Sequence, residues 1–287
     1  MMDSNDIPPV WSDWIANNLR RGCTQQSMIE PMVQAQIDAK VAAACIARVA
    51  DTLTQSKMHH ASVTSPYQYE ASRIMSGNTI ALSNGSVKVV LRLARPDIVL
   101  IEGFMSDEEC DALIEQSKRK ILSPSTIVAP QSGNKEVIDA RTSEGMYFQR
   151  GENELVQRLE RRISELVNWP VERGEGMQVL HYRAGAEYRP HFDYFPMQDP
   201  GSASHMVAGG QRVSTLVMYL GDVTEGGETV FPSIGLSITP RRGSAVYFAY
   251  ANSIGQVDPA TLHAGAPVVS GEKWIATKWM RQRQYGG

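Results

Sequence analysis

Cysteine is scarce in this sequence, which contains only Cys23, Cys45 and Cys110 among 287 residues. Three widely spaced cysteines are too few for the disulfide framework of a small secreted domain. The first fourteen residues contain neither a basic segment nor an apolar one, so we expect no secretory signal peptide there. These features predict a reducing compartment, the cytoplasm.

Long apolar runs and long basic runs are also missing. No stretch approaches the roughly 20 apolar residues of a transmembrane helix, so we expect no membrane span. The formal net charge is −3, and without a basic cluster we expect no nucleic-acid partner. A hydrophobic content of 42% and a charged content of 21% are typical of a globular protein with ample core.

The apolar pattern divides the chain near residue 95. Helical periodicity predicts a small N-terminal module whose second helix spans 31–54. A polar segment follows, and then two apolar segments joined by Asn84-Gly85, the turn signal of a β-hairpin. We therefore expect three parts: a helical module (1–55), a linker with a hairpin (56–95) and a main domain (96–287).

The main domain is predicted to be mainly β with flanking helices. Ser106 and Glu109 have the spacing of a capping box, and a second helix is predicted over 152–167. After Gly176, short apolar segments alternate with turns. The strands predicted there span 177–183, 190–195, 211–220, 228–231, 236–239, 244–250, 262–268 and 273–281. Many short strands of this kind favour a sandwich or jelly roll.

Three residues of this region have the chemistry of a metal site. His191 and Asp193 would point to the same side of an extended strand, and His263 could supply a third ligand from another strand. Two imidazoles and one carboxylate suit Fe(II), although zinc, manganese and nickel also accept them. Lys273, ten positions after His263, could pair with an anionic co-substrate. For the triad alone, solvated polar residues in loops are the alternative interpretation.

Four motifs surround these residues. They are Y-x-x-G-x-x-Y-x-x-H-x-D from Tyr182, R-x-x-T-x-x-x-Y-L from Arg212, E-G-G-E-T-x-F-P from Glu225 and H-x-G-x-P-V-x-x-G-x-K-W from His263. With them the chain resembles, from about residue 96 to residue 285, the catalytic domain of the prolyl 4-hydroxylases, a branch of the Fe(II)/2-oxoglutarate dioxygenases. The resemblance implies this family's double-stranded β-helix, a jelly roll whose open end holds the metal.

The resemblance also implies a role for each matching position. The iron ligands would be His191, Asp193 and His263. The co-substrate would contact Lys273, which pairs with the distal carboxylate of 2-oxoglutarate, and the pocket-lining Tyr182, Tyr219 and Thr215. The peptide substrate would lie near Tyr188, Arg212, Trp279 and Arg141. Core packing of the tyrosines and a strand-edge position for Arg212 are the alternatives that the residue types alone leave open.

The implied reaction consumes 2-oxoglutarate and O2 at Fe(II), releases succinate and CO2, and hydroxylates a prolyl residue of a peptide or protein. Ascorbate is a candidate reductant. The same chemistry on a free amino acid or a small peptidic metabolite stays open, as does the oligomeric state. A catalytically silent binding module and a zinc hydrolase are the alternatives from other classes, and the presence of all three ligands together with Lys273 disfavours both.

Two segments could move during the reaction. Residues 199–211 follow the His-x-Asp motif and are rich in small side chains, so they could close over a substrate as a lid or form a surface loop. Residues 123–139 could form a second flap.

Overall fold

The computed structural model describes residues 11, 12, 15, 18, 19, 25–35, 37–60, 66–120, 122–128, 135–136, 141–199 and 201–286. The chain divides into two compact units, Met1–Pro66 and Tyr67–Gly287. In the described ranges, no helix combines the length and the apolar character needed to cross a lipid bilayer.

The described part of the first unit is helical. Residues 11, 12, 15, 18 and 19 are helical, and α1 (Gln25–Gln34) and α2 (Ala39–His60) follow. The Asp38 carboxylate caps α2, because it accepts hydrogen bonds from the N–H groups two and three residues later, at 2.8 and 3.3 Å. This cap begins a new helix inside the region where the sequence predicted a single one. The buried side chains of this unit are Ile15, Met28, Met32, Ala42, Cys45 and Ile46.

The second unit contains most of the strands. They are β1 (Thr79–Leu82), β2 (Gly85–Ala94), β3 (Asp97–Glu102), β4 (Ser123–Pro124), β5 (Ile127–Val128), β6 (Lys135–Glu136), β7 (Glu144–Phe148), β8 (Met177–Tyr182), β9 (Tyr188–His191), β10 (Arg212–Tyr219), β11 (Glu225–Gly226), β12 (Thr229–Phe231), β13 (Leu236–Ile238), β14 (Ala245–Ala249), β15 (His263–Gly265), β16 (Val268–Ser270) and β17 (Lys273–Arg281). Within the described ranges, nine of them form a sheet in the order β1-β2-β3-β14-β10-β17-β8-β7-β4. A smaller sheet has the order β13-β12-β15-β9, and β11–β16 and β5–β6 are separate pairs.

The chain path identifies the architecture. From β8 onward the chain passes repeatedly between the two larger sheets, with β8, β10, β14 and β17 in one and β9, β12, β13 and β15 in the other. This alternation of antiparallel strands is the path of a jelly roll, so the predicted mainly β class is confirmed. One apolar core includes side chains of both sheets, for example Phe231 and Phe248, whose ring centroids are 5.2 Å apart.

Three α-helices accompany the sheets in the described part of this unit: α3 (Asp107–Arg119), α4 (Glu154–Val167) and α5 (Ser202–Val207). The predicted capping box begins α3, with Ser106 Oγ accepting from Glu109 N at 3.2 Å and the Glu109 carboxylate accepting from Ser106 N. α4 buries one apolar face, as its periodicity predicted. Short 3-10 helices span Val171–Arg173, Pro232–Ile234 and Pro259–Thr261.

The hairpin β1–β2 belongs to the large sheet. β2 pairs with β3 over most of its length, so the hairpin extends the sheet instead of connecting two domains. The boundary between the two units therefore lies before the hairpin, between Pro66 and Tyr67, whereas the sequence pattern placed it near residue 95. Strand pairing can add to a sheet a segment that is distant from it in sequence. Apolar periodicity along the chain does not indicate which strands will pair.

Candidate metal centre and adjoining pocket

The predicted triad comes together where β9 meets β15. His191 ends β9 and is the direct antiparallel partner of His263, the first residue of β15. Asp193 follows two residues later, after the strand has ended, whereas the sequence predicted it within a strand. Its Oδ1 lies 3.7 Å from His191 Nε2, and its Oδ2 lies 3.6 Å from His263 Nε2. Among the described residues, this is the only group of three His, Cys, Asp or Glu side chains whose ligand atoms all lie within 4.8 Å of one another.

Both histidines present the same ring nitrogen to the centre. Nδ1 of His191 lies 2.9 Å from the Arg189 carbonyl, and Nδ1 of His263 lies 3.0 Å from the Thr261 carbonyl. A carbonyl only accepts, so each Nδ1 carries a proton and each Nε2 keeps its lone pair. Two neutral imidazoles with outer hydrogen bonds, together with one carboxylate, fit a divalent first-row metal such as Fe(II).

The electrostatics agree with this assignment. Burial and the neighbouring His263 lower the pKa of His191 to about 3, so its ring is neutral at physiological pH. Burial raises the pKa of Asp193, but His263, His191 and Arg212 outweigh it and hold that pKa below its usual value. The centre therefore combines neutral nitrogen donors with an ionised oxygen donor.

Thr215 contacts the carboxylate ligand. Its hydroxyl donates to Asp193 Oδ2 at 2.6 Å and lies 2.9 Å from the hydroxyl of Tyr250, which is fully buried. The resemblance assigned Thr215 to the co-substrate pocket, and that role stays a prediction. The hydrogen bond to Asp193 gives Thr215 a further role, because it fixes the orientation of this carboxylate.

We expect Thr215→Val to reduce Fe(II) affinity by about 10- to 100-fold, the usual cost of removing a hydrogen bond to a metal ligand. Valine keeps the shape of the side chain and removes only the donor. Equilibrium titration with Fe(II) under anaerobic conditions measures the effect. Ser214→Ala is the matched control, because this buried hydroxyl lies on the same strand and makes no hydrogen bond to a triad residue among the described residues. Equal affinities in the threonine variant and the wild type would contradict the positioning role.

Lys273 is a buried cation that has no direct ion-pair partner among the described residues. Only 2% of the residue is exposed, and its ammonium group makes no hydrogen bond or ion pair with the described residues. It lies 5.4 Å from the ring centroid of Tyr182, its strand partner. A Cβ on Gly265, two residues after the ligand His263, would lie 3.7 Å from Nζ. Burial lowers the lysine pKa to about 8, against the opposing effect of Glu228. This environment suits an incoming anion.

Tyr219 is the other predicted tyrosine of the co-substrate pocket, and it is fully buried on β10. Its hydroxyl donates to Thr229 Oγ1 at 2.8 Å. Thr229 was not among the predicted site residues, although it lies inside the E-G-G-E-T-x-F-P motif. Contact of these hydroxyls with a co-substrate stays a prediction.

The four predicted substrate-side residues line one cavity of about 630 Å³, together with His191 and Asp193. The ring of Tyr188 stacks on His191 with centroids 3.5 Å apart, and the Arg141 guanidinium lies 4.5 Å above Tyr188. Arg141 donates to the Thr126 carbonyl and to Gln178 Oε1, both neutral acceptors. The cavity therefore has a buried cation on one wall, next to the metal centre.

Arg212 has a different environment. It forms a two-point contact with Glu175, with Nε–Oε1 at 2.6 Å and Nη2–Oε2 at 2.9 Å, and its guanidinium lies 4.0 Å from the Trp279 ring. Its Nη1 also donates to the Asp193 carbonyl at 3.3 Å. Arg212 thus supports the metal-ligand segment, and its predicted position near the peptide substrate stays a prediction. Glu175 was not among the residues predicted from the sequence, because no local spacing indicates a partner 37 positions away.

A model of the 2OG-Fe(II) oxygenase superfamily matches residues 177–281, the segment that contains the triad and Lys273. The chain is 38% identical over 221 residues to prolyl 4-hydroxylase 5 of Arabidopsis thaliana, covering 70% of this chain and 74% of the relative. It is 40% identical over 214 residues to prolyl 4-hydroxylase 1 of the same plant, covering 69% and 74%.

A solved structure is also similar. The viral collagen prolyl hydroxylase of Paramecium bursaria Chlorella virus-1, in complex with 2-oxoglutarate, has 33% identity and a TM-score of 0.52. The match covers 64% of this chain and 95% of the viral protein. Sequence, fold and metal-ligand set agree, and Fe(II), 2-oxoglutarate and O2 are the cofactor and co-substrates of this chemistry. The chain belongs to the prolyl 4-hydroxylase family of 2OG-Fe(II) oxygenases.

Proposed function

We propose that this protein hydroxylates a prolyl residue of a peptide or protein, with conversion of 2-oxoglutarate and O2 to succinate and CO2. The proposal depends on one observation: Lys273 is buried without an ion pair among the described residues, and His191, Asp193 and His263 form a triad that could hold a metal. A metal site for hydrolysis has no use for such a lysine, whereas a dicarboxylate that chelates the metal needs a cation for its far end.

In this proposal the triad holds Fe(II) through the two Nε2 atoms and one oxygen of Asp193. Fe(II) with 2-oxoglutarate supplies, when bound, the oxidation of an unactivated C–H bond. The protein orients the ligands and excludes water. Phe248 and Phe231 contribute to the second task, since their ring centroids lie 4.7 and 5.8 Å from that of His263. No side chain of the triad needs to transfer a proton.

We expect 2-oxoglutarate to bind more weakly as pH rises above about 8. Only the protonated amine attracts the carboxylate, and burial already lowers the pKa of Lys273 to about 8. An anion beside the amine raises that pKa again, so binding above this pH takes up a proton, and the apparent Kd increases by up to about tenfold per pH unit. Anaerobic titration of the Fe(II)-loaded protein between about pH 7 and pH 10 measures the slope. A constant Kd across this range would contradict the assignment.

The cavity supports a peptide substrate over a free amino acid. The cavity of about 630 Å³ is lined by segments that precede and follow the triad in sequence, including Tyr147 and Tyr285. Trp279 lines the cavity and offers an apolar surface for a proline ring, and Arg141 offers a donor for a backbone carbonyl. Both plant relatives are named prolyl 4-hydroxylases, which supports the same choice.

The test is succinate release by the Fe(II)-loaded protein with and without proline-containing peptides. We expect a suitable peptide to increase succinate formation and to gain the mass of one oxygen atom at proline. The matched peptide with alanine at that position, and free proline, are the controls. Oxygen incorporation into free proline but into no peptide would replace the peptide proposal with the small-molecule alternative. Turnover that no proline-containing compound stimulates would contradict both.

A further inference from the structure

We propose that Arg281 is a positioning residue that holds the lid segment, residues 201–211, against the substrate cavity and links it to Asp193. The inference deepens the proposed function, because the lid segment supplies one wall of the cavity. Ser202 and His205 line it, and the His205 ring stacks on Phe195 with centroids 5.5 Å apart.

Arg281 is the last residue of β17 and is 1% exposed. Its Nη2 donates to the carbonyls of His205 and Ala208, at the C-terminal end of α5. The last carbonyls of a helix have no partner within the helix, and a cation at this end is favourable. α5 has only six residues, too few to be stable by itself. The guanidinium therefore supplies the bonds that the short helix cannot make.

The same guanidinium connects the lid segment to the metal centre. Its Nη1 lies 3.2 Å from Glu175 Oε1, and Glu175 also binds Arg212, which donates to the Asp193 carbonyl. Burial raises the pKa of Glu175, but Arg212 and Arg281 outweigh it and keep the carboxylate ionised. Lid segment, Arg281, Glu175, Arg212 and Asp193 thus form one continuous chain of polar contacts.

Two glycines separate α5 from the end of the lid segment that precedes β10. Gly209 and Gly210 have φ of +81° and +74°, a left-handed conformation that favours glycine. Just beyond them, Gln282 N donates to the Gln211 carbonyl at 2.8 Å, and the Gln211 side chain binds both backbone groups of Phe195. Beyond the two glycines the segment is therefore held by backbone bonds. α5 before them is held through Arg281.

The test compares Arg281→Gln and Arg281→Lys with wild type and with Arg283→Gln. Arg283 is the matched control, because it is exposed and makes one contact with the same helix, to the Met206 carbonyl at 3.3 Å. Hydrogen exchange of the amides in residues 202–210 is measured first, since it needs no substrate. We expect Arg281→Gln to accelerate exchange there by about 10- to 100-fold, the range for a lost charge-assisted hydrogen bond, and Arg281→Lys to restore part of the protection.

Kinetics supply the second measurement. In Arg281→Gln we expect the KM for the peptide to rise more than the KM for 2-oxoglutarate, because the lid segment lines the substrate cavity, whereas Lys273 lies at the opposite end of β17. Unchanged hydrogen exchange of residues 202–210 in both Arg281 variants would overturn the proposal. So would accelerated exchange throughout the second unit, since that would indicate general destabilisation. The exchange result does not depend on turnover, so a failure of the proposed function would be recognised separately.

Discussion

His191→Ala, Asp193→Ala and His263→Ala should each reduce 2-oxoglutarate turnover below detection while leaving the fold intact. The three ligand atoms lie within 4.8 Å of one another, and two ligands cannot define the remaining coordination positions. Each variant should also lose stoichiometric Fe(II) binding. Anaerobic metal titration and succinate assays measure the two effects, and circular dichroism checks the fold.

The matched control for the triad is His181→Gln. This histidine is also buried, but its ring stacks on Trp274 and its Nε2 lies 2.7 Å from Glu272. We expect the control to bind one Fe(II) per chain. Turnover retained in any triad variant would show that the ligand set is wrong.

Lys273→Met should raise the Kd for 2-oxoglutarate by roughly 10- to 100-fold, because a charge-assisted contact contributes about 1.5–3 kcal/mol. Methionine keeps the apolar stem and removes the charge, so packing is largely preserved. The pH dependence of binding expected above pH 8 should disappear in the same variant. Anaerobic titration of the Fe(II)-loaded variant measures both effects, and Fe(II) affinity itself should be unchanged.

The thermal stability of Lys273→Met tests the burial of the lysine charge independently of 2-oxoglutarate binding. The folded state lowers the lysine pKa from 10.5 to about 8, so at pH 7 the folded protein bears the cost of burying a charge. This cost decreases as pH rises from about 8 to 10.5, because the folded protein releases the proton first. Lys273→Met should therefore have a higher melting temperature than wild type at pH 7. The exposed Lys118 is the control position for loss of a lysine charge.

An unchanged Kd would contradict the lysine assignment. Arg281, eight positions after Lys273 at the end of the same strand, is another cation that an anionic co-substrate could use. Its guanidinium contacts Glu175 and the lid-segment carbonyls instead, so it is engaged elsewhere.

Local sequence determined the strand pattern, the helix caps and the residue types of the metal centre. Ser106 and Glu109 form their capping box because both partners lie within one helical turn. His191, Asp193 and His263 are recognisable because a metal requires particular donor atoms whatever the surrounding fold. The capping box depends on residues that are close in sequence, and the metal centre depends on the donor atoms of its residue types. Both features can be identified from the sequence alone.

Only the tertiary structure decided how distant polar groups pair. Glu175 binds Arg212 and Arg281, and Thr215 donates to Asp193, a contact that its motif does not indicate. Lys273 has no hydrogen bond or ion pair among the described residues. The hairpin β1–β2 joins the large sheet for a similar reason, since register with β3 is set by the folded core. Such contacts depend on which strands become neighbours and on the faces they bury. Packing of the whole sheet decides which strands become neighbours, and the sequence of a single strand does not specify this pairing.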